Sequence, residues 1–125
     1  MTGDPKTQAE GKGKQARFQL NNIPNRLGHI AANLARIKSF SQIAYKEAVK
    51  SVIVETKWFI EWTAAEIEPL QAEELVNIQI QLAMWELSWH KIWADEKICT
   101  EVAEQSGFWS EQVLDMSGLL SESVA

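Results

Sequence analysis

Between residues 72 and 99 the apolar positions recur on two opposite sides of a helical wheel. One side reads Leu75, Ile78, Leu82, Trp85, Trp89 and Ile92; the other reads Val76, Ile80, Ala83, Leu87, Ala94 and Ile98. A helix with one apolar stripe needs one neighbour, and a helix with two must be covered on both flanks. In a chain of 125 residues, that predicts a central place in a bundle or a contact with a partner chain.

Upstream the patterns are simpler. Asn22 and Asn25 are both able to cap a helix, and Pro24 suits a first turn because the N–H it lacks has no partner there. Leu27, Ile30, Leu34 and Ile37 then form one stripe, with Gly28, Ala31 and Ala35 beside it. The stripe changes phase further on, and Ser39 and Gln42 have capping-box spacing, so a turn is expected over residues 38–41. A second helix follows from about Gln42 to Glu68. Its main stripe is Tyr45, Val49, Val52, Ile53, Thr56, Phe59, Ile60, Thr63 and Ile67, and its opposite side carries Val54, Trp58, Trp62 and Ala65. The run Val52-Ile53-Val54 lowers helix propensity, but the long periodic context favours helix over strand. Pro69 should end this helix. The third helix is expected from about Gln71 to at least Glu96, with Gly107 as a natural stop. A short fourth helix over 110–117 should end at Gly118.

These elements predict an all-α fold: an up-and-down helical bundle of three long helices plus a short C-terminal helix. Residues 1–21 carry three glycines and a proline among polar groups, without a period, and read as a flexible basic arm. The bundle domain spans 22–118, and 119–125 form a short tail.

Charge adds an asymmetry. Residues 1–50 hold nine basic groups and three acids, a surplus of +6, so the rest of the chain carries −11 of the net −5. Such a split marks either a surface for nucleic acid or an acidic partner, or two halves that attract each other. The strongly acidic second half repels phosphate and favours the latter. Cys99 is the only cysteine, which excludes an intrachain disulfide and favours a reducing compartment. No apolar run reaches the length of a membrane span, and the N-terminal residues have no hydrophobic signal core. A cytoplasmic protein without a membrane partner is the expectation.

Candidate chemistry is sparse. Glu86 and His90 stand one helical turn apart, a spacing that could share a metal. Di-iron bundles instead use Glu-x-x-His pairs on two helices; no second pair exists here, and Lys97 on the same strip repels a cation. An exposed ion pair is the simpler reading. Cys99 has no activating base nearby in sequence and reads as a small hydrophobe. Glu66 and Glu68 read as a solvated helix end. No serine lies in a nucleophile-elbow context, and no phosphate loop, zinc spacing or calcium loop is present. No catalytic residue, metal or cofactor is expected.

The six tryptophans carry more information. Trp85, Trp89 and Trp93 follow at i, i+4 and i+8, and Trp58 and Trp62 are spaced likewise. Such a ladder could stack nucleic-acid bases, but base-stacking sites interleave aromatics with Lys and Arg, whereas these alternate with Glu61, Glu66, Glu86 and Asp95. Core and interface are the better roles: Trp85 and Trp89 in the core, Trp58 and Trp62 at an interface. The leading expectation is therefore a non-enzymatic helical interaction or scaffold protein that self-associates, most simply as a homodimer, or binds another helical protein. Val54, Trp58, Trp62 and Ala65 are its contact residues. The alternative is a small helical subunit of a nucleoprotein complex, contacting phosphates through Lys12, Lys14, Arg17, Arg26, Arg36 and Lys38.

Overall fold

The computed structural model describes the backbone of residues 5–120 and the side chains of residues 11–120. The described residues form six helices and no strand: α1 (Pro5–Gln19), α2 (Ile23–Gln42), α3 (Lys46–Ala64), α4 (Pro69–Leu87), α5 (Trp89–Ala94) and α6 (Glu96–Ser117). The all-α expectation holds, but the inventory differs. Four long helices, α2, α3, α4 and α6, replace three long and one short. None is long and apolar enough to cross a membrane.

The centre of the molecule is α2. Asn22 caps it, its Oδ1 accepting from the Asn25 N–H at 2.9 Å, and Pro24 sits in the first turn. Leu27, Ile30, Leu34 and Ile37 are all buried, each contributing about 1.5–3 kcal/mol by leaving water. This helix packs against α6 along one flank and α3 along the other. Two local features draw α6 in. Ser110 Oγ donates to the Ala31 carbonyl at 2.8 Å, and the Lys38 side chain lies across Gly107, where an added Cβ would come within 2.8 Å of it. Gly107 is therefore a place of close approach inside α6 and not a stop. The predicted fourth helix is the last part of α6, which ends at Gly118 in the left-handed conformation, φ 75°.

Three further boundaries move. The turn between α2 and α3 falls after Gln42, at Ile43 and Ala44, where Ala44 takes φ 54°; Ser39 lies inside α2 and caps nothing. Pro69 does not end α3, which stops at Ala64, but opens α4, the position where its missing N–H costs nothing. The long third helix is broken at Ser88 and again at Asp95. Asp95 is extended, φ −131° and ψ 112°, and its side chain accepts from the Lys97 N–H. The breaks let Trp89, Ile92, Trp93 and Ile98 all turn inward onto the core, which one straight rod could not do.

Candidate functional site

The segment read from sequence as an arm is helical from Pro5 to Gln19, and it lies on α3. Its Phe18 is only 5% exposed. The ring stacks on Phe59 at 4.1 Å and 8°, and sits 5.9 Å from Trp62. Trp62 in turn stacks with Trp58 at 5.8 Å. Both tryptophans and Val54 are half-buried, and Ala65 is exposed. The residues chosen from sequence as a partner interface are thus brought together on one side of α3, and part of that side is already covered by the chain's own α1.

Polar contacts hold α1 there as well. Lys14 pairs with Glu55. Asn33 Nδ2 also donates to Glu55 at 3.1 Å, and Arg36 donates to Asn33 Oδ1 at 2.8 Å. Burial pushes the Glu55 carboxyl up, but the hydrogen bonds from Lys14 and Asn33, with the charges of Lys14 and Arg36, outweigh it and leave the carboxyl below its ordinary value.

Of the six candidate phosphate contacts, Lys12, Arg17, Arg36 and Lys38 are exposed. Lys14 and Arg36 serve the Glu55 network. Arg26 is 6% exposed; its Nε donates to the Asn21 carbonyl at 2.8 Å, its Nη2 to the Gln19 carbonyl at 2.9 Å and its Nη1 to Glu66 at 2.6 Å. Arg26 ties the end of α1 and the loop after α3 to α2, so its charge is used inside the fold. Glu66 is accordingly an ion-pair partner and not merely a solvated helix end.

A row of exposed apolar side chains lies on α4. Its inner side, Leu75, Ile78 and Leu82, is buried. On the opposite side Val76 is 37% exposed, Ile80 51%, Met84 51% and Leu87 89%. These residues follow one face at steps of four, four and three. Met84, absent from the sequence reading, is the one that joins Ile80 to Leu87; its position four residues past Ile80 was the available signal. No Lys or Arg occurs anywhere in α4.

Little else is arranged for chemistry. Glu86 pairs with Lys57 of α3 instead of His90, which is exposed. The Cys99 thiol donates to the Ser41 carbonyl at 3.6 Å, and burial, assisted by the charge of Glu96, pushes its pKa up, away from the thiolate a nucleophile needs. Among the described residues no three His, Cys, Asp or Glu side chains converge as a metal site.

The chain is thus an all-α protein with an aromatic cluster that includes Trp58 and Trp62. Comparison with protein-family models, with curated proteins and with solved structures finds no match.

Proposed function

We propose that this chain is a non-enzymatic helical interaction protein that self-associates through the outer face of α4. The observation that carries this reading is the row Val76, Ile80, Met84 and Leu87, left in solvent on the side of α4 opposite the core. Contiguous apolar surface of this kind marks an interaction site.

The pattern suits a second copy. In an antiparallel pairing with Ile80 on the two-fold axis, Val76 faces Met84 of the other copy, and Glu73 faces Leu87. A parallel pairing would set Glu73 against Glu73. A two-fold contact needs this kind of self-complementary row. The α3 face with Val54, Trp58, Trp62 and Ala65 ranks second, because Phe18 already stacks there.

Sedimentation of the Ile80→Lys, Met84→Lys double variant is the test. The parent chain should sediment as a dimer and the variant as a monomer, with unchanged helical circular dichroism. A parent chain that remains a monomer at high concentration removes the reading. A Trp58→Ala, Trp62→Ala variant that alone abolishes the dimer would move the interface to α3.

A further inference from the structure

A second feature, independent of the α4 row, lies between α4 and α6. These helices touch only sparingly, and a hollow of about 400 Å³ opens between them. Trp85 from α4 and Trp109 from α6 border it, their ring centroids 5.1 Å apart and tilted by 31°. Glu101, Gln81 and Gln105 supply its polar lining, and no Lys, Arg or His takes part. Lys97 stands one turn before Glu101 on α6 but forms no ion pair with it.

We propose that this hollow is a binding site for an organic cation, a guanidinium or alkylammonium group. Trp is the best aromatic partner for a cation, which is attracted from within about 6 Å of the ring centroid. The two rings lie against each other, their centroids too close to admit a cation between them, so a cation in the hollow meets the part of the indole pair that lines it, beside Glu101. Glu101 supplies a charge-assisted acceptor, and the Gln81 and Gln105 amide oxygens can accept further N–H groups. The surroundings disfavour anions: α4 and α6 together carry eight acidic residues and one lysine. The volume falls in the range of small-ligand sites, about 300–1,000 Å³. The cation is either a free molecule or a side chain presented by another protein, and the chemistry of recognition is the same.

The indole N–H signals of the full chain in two-dimensional NMR read this site directly, with the Trp85 signal assigned from a Trp85→Phe variant. The probes are N-acetyl-arginine amide, its neutral isostere N-acetyl-citrulline amide, and tetramethylammonium. The arginine compound should shift the Trp85 and Trp109 signals saturably, and the citrulline compound should not. Glu101→Gln, an exposed change that leaves the fold intact, should weaken the arginine compound by about threefold. Tighter binding of the arginine compound than of tetramethylammonium would point to a presented side chain, and the reverse order to a free quaternary ammonium. Equal shifts from arginine and citrulline, no saturable shift at either tryptophan, or an unchanged affinity in Glu101→Gln would each overturn the proposal. None of these outcomes depends on whether the chain dimerises through α4.

Discussion

α2 and α4 are nearly equal in length, 20 and 19 residues, and their fates are opposite to what their sequences suggest. α4 is the more apolar rod, with a stripe on each side. α2 has one clear stripe, with alanines and a glycine beside it, and carries Arg26 and Asn33 among its polar groups. Yet α2 lies between α3 and α6 with both of those polar residues buried, whereas α4 packs mainly on α3 and leaves a whole row of apolar side chains in water. The comparison teaches that a central place goes to the helix that neighbours can approach closely and whose buried polar groups are satisfied. Greasiness alone does not secure it. Arg26 can be buried because two carbonyls and Glu66 meet its donors. The small residues Ala31 and Gly107 let α6 come within hydrogen-bonding distance of the α2 backbone. α4 has no such means of admitting a second neighbour on its outer side.

Paired leucines put this contrast to its hardest trial. Leu34→Ala in α2 should cost about 2–5 kcal/mol, as a buried leucine replaced by a void does. Leu87→Ala in α4 should stay within about 0.5 kcal/mol in the monomeric Ile80→Lys, Met84→Lys background. Urea unfolding measures both, and similar losses at the two sites would erase the distinction between the helices. Next in size is Arg26→Ala. It strands the Gln19 and Asn21 carbonyls and should cost about 2 kcal/mol, read in the same titration; a neutral result would mean that α2 does not depend on its buried polar anchor.

Smaller effects sharpen the picture at α1, the element that shares the α3 face. Gly11→Ala places its Cβ 4.0 Å from Trp58, and Gly13→Ala 3.5 Å from Arg17, both ordinary contacts. Each should stabilise α1 by about 0.5–1 kcal/mol, visible as slower amide exchange in α1 and little change in α4. The smallest effect is the pH dependence of α1 docking. Because Glu55 is depressed in the folded chain, its contribution is fully present above the ordinary carboxylate range. It is lost as pH falls through its lower folded value. The Trp62 indole signal should therefore move on acidification, and Glu55→Gln should remove that movement. An unchanged titration in Glu55→Gln would show that Glu55 is not the group that couples α1 docking to pH.

How much could be read in advance follows the type of signal. The α2 stripe, the Asn22 cap and the Gly118 terminus each rest on a local rule that nothing in the tertiary structure opposes. The turn at Ile43 and Ala44 carries no Gly or Pro. Its left-handed residue is an alanine, held there at a cost of about 1–2 kcal/mol that only the surrounding packing can offset. The cap at Asp95 went unread, because the apolar period running past it suggested a continuous helix. The α1 helix was illegible because Gly11 and Gly13 argue against it, and what holds it is contact with distant residues: Phe18 on Phe59, Lys14 on Glu55 and the Gln19 carbonyl on Arg26. The Trp85–Trp109 hollow joins residues 24 positions apart, and no spacing rule connects them.

The amino-acid sequence by itself determined that this protein is helical, that α2 offers one face and α4 two, and that a helix stops at Gly118, because each is a property of residues a few positions apart. Only the tertiary structure decided which helix became central, that α1 shelters Trp62 while α4 keeps its outer row bare, and that two distant indoles border one acidic hollow. Those outcomes depend on contacts between segments far apart in the chain, where the fit of small residues and the pairing of buried donors select among arrangements that the periodicities alone leave equivalent.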